Sequence, residues 1–248
     1  MNDILMSLHN RKSVRAYEDR PIERAEKQAI LDAAVQAPTA GNMSLFTILD
    51  ITDLELKQKL SVTCDNQPFI AKAPLVLIFC ADYRRWYDAF CEGVDEVRKP
   101  DVGDFMLATA DAIIAAQNAV VAAESLGIGS CYIGDITENY EIHKELLNLP
   151  QYVVPAAMLC FGYPTQQQEN RIKPRRFQTN DLVHENGYQP DRARRMGEML
   201  MAREQKSPEE YGDWLRRFCT RKWNSDFSVE MSRSCRAMIR DWCEEKIP

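Results

Sequence analysis

The sequence lacks the devices by which side chains usually carry difficult chemistry unaided. Its eight cysteines, at 64, 80, 91, 131, 160, 219, 235 and 243, include no C-x-x-C pair. Neither they nor the three histidines, His9, His143 and His184, fall at metal-ligand spacing, so no metal is expected. There is no G-x-S-x-G, Walker loop or G-x-G-x-x-G, which removes the common signatures of nucleophilic hydrolysis, nucleotide hydrolysis and Rossmann-type dinucleotide binding. A formal charge of −6 is the wrong sign for a general nucleic-acid binder. No stretch reaches about 18 consecutive apolar residues, so no membrane partner is expected. The opening Met1-Asn-Asp-Ile-Leu-Met6 lacks the apolar region of a signal peptide. The expected location is therefore cytoplasmic, with the cysteines as reduced thiols, several of them inside apolar runs where a thiol acts as a small hydrophobe. Internal repeats and low-complexity linkers are also missing.

What remains is a chain of 248 residues, long enough for a substantial core in one large domain or two small ones. An apolar stripe following Pro21 predicts a helix over 21–36, and the turn residues of 37–42 end it. A strand over 46–52 follows, then a short helix capped by Asp53 and running to 60. Gln67 falls in a polar turn. The continuous apolar run 75–80 has strand length and reads as a strand covered on both faces. The aromatic, charged stretch 82–101 has no clean period and reads as a surface excursion. Residues 103–126 form the longest helical signal, apolar around nearly the whole circumference, as expected of a helix buried in a core or subunit interface. A strand over 130–133, a helix over 139–147 and a strand over 152–161 come next, and helices are expected near 191–204, 208–221 and 228–246. This alternation gives α/β or α+β.

Two basic clusters stand out, Arg11-Lys12-Ser13-Val14-Arg15 and Lys173-Pro174-Arg175-Arg176. Each alone reads as a solvated surface. Together they supply guanidinium forks, an ammonium and a hydroxyl, the donors that hold a phosphate. With the usual catalytic motifs missing, an enzyme built on this chain would leave its difficult step to a cofactor.

Arg11-Lys-Ser-Val-Arg15-Ala-Tyr17, Ala37-Pro-Thr-Ala-Gly41-Asn42, Gln67, Gly129-Ser-Cys-Tyr132-Ile133-Gly134 and Lys173-Pro-Arg175 occur in the order and approximate spacing of the FMN-dependent nitroreductase superfamily. The chain most resembles its larger NADPH-dependent, oxygen-insensitive nitroreductases and flavin reductases. The resemblance implies an α+β fold, a central mixed or antiparallel sheet wrapped by helices, in a domain-interlocked homodimer. It divides the chain into an FMN-binding core at 1–190 and a C-terminal helical extension at 191–248. It assigns Arg11, Ser13 and Arg175 to the FMN phosphate, with Lys12 beside them, and places Arg15 and Lys173 near the flavin as cations. Asn42, with Gly41 in its loop, and Gln67 match positions that hydrogen-bond the flavin, the Asn42 loop coming from the partner subunit. Tyr132, Ile133 and Gly134 match the segment against the ring. Arg203 matches a nicotinamide-nucleotide contact and Arg236 an active-site arginine, with Arg233 its neighbour.

The resemblance further implies a ping-pong oxidoreductase that takes electrons from NADPH or NADH and passes them to a small-molecule acceptor, an aromatic nitro compound, a quinone or free flavin, with no catalytic side chain required. Another flavin chemistry on this scaffold, such as dehalogenation or flavin transformation, and a non-catalytic flavin-binding sensor are the alternatives. Three positions depart from the family pattern: Ser44 replaces a glutamine of the smaller subgroup, Asp135 replaces a second glycine, and Pro208 replaces a second arginine. A carboxylate at 135 would disfavour anionic substrates or an anionic flavin.

Overall fold

A computed structural model of the chain describes residues 1–244, apart from the side chains of residues 192 and 193. In chain order the first elements are α1 (Asp3–Asn10), α2 (Arg24–Val35), β1 (Phe46–Asp50), α3 (Leu54–Thr63), α4 (Pro68–Lys72), β2 (Leu75–Asp82), α5 (Arg84–Gly93) and α6 (Val102–Ser125). There follow β3 (Gly129–Ile133), α7 (Tyr140–Leu146), β4 (Val153–Gly162), α8 (Gln166–Glu169), α9 (Thr179–Leu182), α10 (Pro190–Arg194), α11 (Met196–Glu204), α12 (Pro208–Lys222) and α13 (Asp226–Cys243). Two compact units emerge. One comprises Met1–Arg171 with the chain from Glu230, the other Ile172–Val229.

The first unit is built on a sheet of order β1-β2-β4-β3 in which every neighbouring pair is antiparallel, so the fold is α+β. Strand β2 is buried along its whole length, and its unbroken apolar run follows from two covered faces. Leu75, Leu77 and Phe79 point to one face with Phe46, Leu159 and Phe161, beneath Ile30 and Ala34 of α2 and the alanines of α6. Val76, Ile78 and Cys80 point to the other with Met158, Cys160 and Ile133, beneath Leu60 of α3 and Ile70 of α4. The register slips once: Phe79 faces Ala157 but Cys80 faces Pro155. The extra residue makes a bulge beside a proline that has no N–H to give the ladder.

Helix α6 lies close to the sheet because its buried stripe is small: Ala108, Ala112, Ala115, Ala116, Ala119 and Ala123. Its other side leaves Met106 64% and Leu107 50% exposed, with Ile113 and Ile114 beside them. By length and composition α6 would also qualify as a membrane span, yet one whole face is the cover of the sheet. Exposed Ile4, Leu5 and Leu8 put a second apolar strip on α1.

Several boundaries differ from expectation. Helix α2 begins at Arg24, not 21, because Glu23 caps it in a reciprocal box with Glu26, the Glu23 amide donating to Glu26 Oε2 at 2.9 Å. Gln67 does not sit in a simple turn; it is the N-cap of α4, whose first residue is Pro68. The stretch expected to be irregular contains α5, whose Trp86 and Tyr87 pack with Leu45, Tyr152 and Trp242 while Arg84 and Asp88 pair one turn apart at 2.6 Å. Trp86, Tyr87 and Phe90 do share one face of this helix, but the stripe spans barely two turns within a longer charged stretch. The helix expected near 191–204 is interrupted at Arg195, which caps α11.

In α13 the buried Ser234, Met238 and Trp242 recur at one-turn spacing, and the Trp242 ring meets Phe105 and Tyr152 edge-on at 5.3 and 5.8 Å. In the second unit Tyr211, Trp214 and Phe218 stack along α12. All eight cysteines are free thiols, four of them buried.

Because Phe79 is fully buried beneath two helices, Phe79→Ala is expected to cost about 3–5 kcal/mol of unfolding free energy, read from the midpoint of a urea titration.

Candidate active site

After α1 the chain turns at Arg11, whose amide donates to the Ser7 carbonyl at 2.8 Å, and runs extended along the sheet. Ser13 forms a parallel bridge with Ser130, Val14 N donates to Ser130 O at 3.0 Å, and Tyr17 bridges Pro164. Two glycines make this close approach possible. A Cβ on Gly129 would stand 2.5 Å from Val14 Cγ2, and one on Gly162 would stand 2.5 Å from Tyr17 Cδ1. The space of the missing side chains is occupied by Val14 and Tyr17.

That docking lays the basic segment alongside β3. Arg11 Nη2 donates to Ser130 Oγ at 3.4 Å, and its guanidinium lies 5.9 Å from the Tyr132 ring centre. Its Nε is buried without a hydrogen-bond partner among the described residues. The Arg15 guanidinium lies 6.0 Å over the Phe69 ring, and its amide donates to Gln168 Oε1 at 3.2 Å. Two residues before Phe69, Gln67 Nε2 donates to Cys64 O and to Asp135 Oδ2, both at 2.9 Å. Asp135 follows Gly134 directly after β3. The contacts close a circuit: segment 11–15 to β3, β3 to Asp135, Asp135 to Gln67, and Phe69 back to Arg15. Arg11, Ser13, Arg15, Gln67, Tyr132, Ile133 and Gly134 are thereby gathered in one place.

Lys12 is spent differently. Its ammonium donates to the carbonyls of Glu169 and of Arg171, the latter at 2.8 Å, and so ties the chain beyond α8 to the N-terminal segment.

Gly41 and Asn42 stand exposed in the one-turn 3-10 helix Ala40–Asn42, with φ of +57° and +59°, and Ser44 is also left-handed at +50°. Glycine meets this conformation without strain, whereas asparagine and serine need support. The support is Asp111, a buried carboxylate on α6. It accepts from the Thr39 hydroxyl, from Ala40 N at 3.0 Å and from Leu45 N at 3.1 Å. From the other side, Arg85 donates to the carbonyls of Ser44 and Phe46 at 2.9 and 2.6 Å, and Trp86 Nε1 to that of Met43 at 2.6 Å. Sequence reasoning saw Asp111 only as a polar interruption; a carboxylate on the buried stripe of an apolar helix was the available signal.

A second residue escaped notice, Glu138. Burial, then the charges of Asp135, Asp65 and Glu230, push its carboxyl up to about 7. Arg236 is exposed on α13, and Arg233 is committed to Glu141 and Glu230 at 2.8 Å. In the second unit Arg175 and Arg203 line one cavity of about 380 Å³ together with Phe177 and Gln178. Arg203 lies 4.3 Å over the Phe177 ring and pairs with Glu204 at 2.8 Å. Lys173 precedes this cavity in the chain. Among the described residues no group of three or more His, Cys, Asp or Glu is disposed to hold a metal ion.

The nitroreductase family model matches residues 8–163, the stretch that contains the whole circuit. The oxygen-insensitive NADPH nitroreductase of Salmonella typhimurium is 34% identical over 211 residues, which span 85% of this chain and 83% of the relative. An FMN reductase of Bacillus subtilis, named for NAD(P)H, is 34% identical over 186 residues, 71% of this chain and 70% of its own. The solved structure of B. megaterium NfrA1 aligns with a TM-score of 0.82 at 27% identity, covering 96% of this chain and 98% of that one. With more than half its length matched by the family model and its circuit lying within that match, the chain belongs to the nitroreductase family.

Proposed function

We propose that the protein is an FMN-dependent NAD(P)H oxidoreductase that reduces nitroaromatics, quinones or free flavin by two electrons in a ping-pong cycle. One observation supports this best: the docked segment 11–15, Gln67 and the end of β3 converge, and they present the donors that an anionic, planar cofactor needs. The fit can be judged atom by atom. Arg11 brings a guanidinium whose Nε is buried and has no hydrogen-bond partner among the described residues, the state of a donor built for an external acceptor. Gly134 is exposed, and a Cβ there would meet only Met231 Cε at 4.0 Å, so its backbone is open to a flat ring.

In this reading Arg11 and Ser13 hold the FMN phosphate, and Arg15 contributes positive charge beside the ring. Gln67, whose two amide N–H groups go to Cys64 O and Asp135 Oδ2, offers its carbonyl oxygen to the ring, while Tyr132, Ile133 and Gly134 form the wall against it. Bound FMN supplies the hydride-accepting and hydride-donating chemistry in both half-reactions. The side chains orient and polarise. Positions assigned to the flavin fall within 1–190, and the helical extension 191–248 bears Arg203, for the nicotinamide nucleotide, and Arg236. Asp135, in place of a glycine, weights the acceptor range against anions.

The homodimer belongs to the same proposal. Exposed Met106, Leu107, Ile113 and Ile114 on α6, with Ile4, Leu5 and Leu8 on α1, form the apolar surface for a second copy. The Asn42 loop, held by Asp111, Arg85 and Trp86, is then offered to the partner's flavin. We place the enzyme in the cytoplasm.

The direct test is an absorption spectrum of the purified protein followed by anaerobic titration with NADPH and NADH. A yellow protein bleached by a stoichiometric nucleotide supports the reading, and a colourless one that cannot be loaded with FMN overturns it. Arg11→Ala should weaken FMN binding by about 1.5–3 kcal/mol, one lost charge-assisted hydrogen bond, measured by quenching of flavin fluorescence. Asp111→Ala strips three donors of their buried acceptor. It should destabilise the protein by about 3 kcal/mol or more in urea and lower flavin occupancy as the Asn42 loop relaxes.

A further inference from the structure

The backbone of Gln67 is bonded on both sides. Its amide donates to Ser61 O at 2.8 Å, and its carbonyl accepts from Ile70 N at 3.1 Å. Two left-handed residues, Asp65 and Asn66, bring the chain to it, and Pro68 restricts it from the following side. What the backbone does not fix is the end of the side chain. The terminal torsion of a glutamine is broad and roughly two-fold, so its oxygen and nitrogen exchange places at little cost unless the surroundings choose.

Here the surroundings choose. The carboxamide nitrogen meets Cys64 O and Asp135 Oδ2, both at 2.9 Å. A peptide carbonyl and a carboxylate only accept, so the edge facing them has to be the NH2 group, and both of its hydrogens are used. Oε1 is left on the opposite edge, and no donor among the described residues is paired with it.

The two bonds are unequal. The one to Cys64 O is neutral, whereas the one to Asp135 is charge-assisted and roughly twice as strong. Gln67 and Asp135 are both half-buried, which strengthens the bond further. Asp135 is itself held, in the 3-10 turn Gly134–Thr137, where Glu138 N donates to Asp135 O at 3.0 Å and Thr137 Oγ1 to Gly134 O at 2.9 Å. Helix α13 fixes the end of that turn: Glu230 Oε1 accepts from Asn139 N at 3.1 Å and Ser234 Oγ from Tyr140 N at 2.9 Å. The tie thus joins a turn anchored on β3 and α13 to a residue anchored on α3 and α4.

We propose that Asp135 is a positioning residue that fixes Gln67 as a hydrogen-bond acceptor toward the cofactor, so that the bound ring has to bring the hydrogen of their bond as an N–H. The inference rests on the oxidoreductase reading of the preceding subsection, and it gives a role to the carboxylate that stands where the family pattern has a glycine. A glycine there leaves Cys64 O alone to hold the amide, and an amide that turns over offers the ring a donor instead. A direct effect of the charge would have the opposite sign. Removing the carboxylate would then tighten the binding of an anionic flavin, whatever stood at 67. Acting through Gln67, its removal weakens binding, and only while the glutamine is present.

The test is a double-mutant cycle on the full chain. FMN dissociation constants are measured by quenching of flavin fluorescence for the unaltered protein, Asp135→Asn, Gln67→Ala and the two together. Asp135→Asn keeps the size of the side chain and removes its charge. It should raise the dissociation constant by about threefold to tenfold with Gln67 present, and change it by less than about twofold after Gln67→Ala. In the flavin-free protein, the side-chain NH2 pair that Gln67→Ala removes from the nitrogen–proton correlation spectrum should exchange slowly with water, and faster in Asp135→Asn. Equal factors in the two backgrounds, tighter binding by Asp135→Asn, or a fast-exchanging pair indifferent to Asp135 overturns the proposal, while a bleachable flavin still supports the oxidoreductase reading. If the unaltered protein takes up no flavin, that reading falls and the role toward the ring with it, and exchange of the NH2 pair then decides the tie alone.

Discussion

The seating of Val14 and Tyr17 in the space left by Gly129 and Gly162 is the constraint on which the site depends. A strand-like segment can lie flush against the last strands of a sheet only where those strands carry no side chain toward it. Both approaches would bring a Cβ to 2.5 Å, closer than packing permits. Once Val14 is seated, Arg11, Ser13 and Arg15 have fixed places along β3, and Lys12 can fasten the chain at Arg171. The cations of the segment are thus positioned by packing at two glycines, rather than by the charges themselves.

Helix α6 links the interior to the surface proposed for a second copy. Its alanine stripe seals one face of the sheet, and Asp111 on the buried side of the same helix fixes donors at both ends of the loop that displays Asn42. Its apolar outer residues supply the surface assigned to the partner. A loop held in left-handed conformations by a buried carboxylate is set before any ligand arrives, which lowers the ordering cost of binding.

Much of this was legible in the sequence where the physics is local. The apolar run from Leu75 reads as a doubly covered strand, and all eight residues of β2 are buried; α6 reads as a buried helix because it is apolar around nearly its whole circumference over 24 residues. The order of the basic segment, Gln67 and the β3 end pointed to a family, and the fold agrees with it. What was hidden depends on distant partners. Lys12 looks like a phosphate ligand until residues 169–171 fold beneath it. Gln67 looks like a turn residue until Pro68 starts a helix, and nothing near Glu138 in sequence announces Asp65 or Glu230. Helix α5 was missed because its aromatic residues pack against Tyr152 and Trp242, which lie far along the chain.

The most direct measurement is the FMN dissociation constant of Gly129→Ala beside that of the unaltered protein, with far-UV circular dichroism to verify that the sheet persists. The added methyl displaces Val14 and touches none of the side chains assigned to the flavin. If docking of the 13–17 segment places those residues, affinity falls by about tenfold or more, at least 1.4 kcal/mol, with the sheet intact. An unchanged dissociation constant in a folded Gly129→Ala protein would contradict the account.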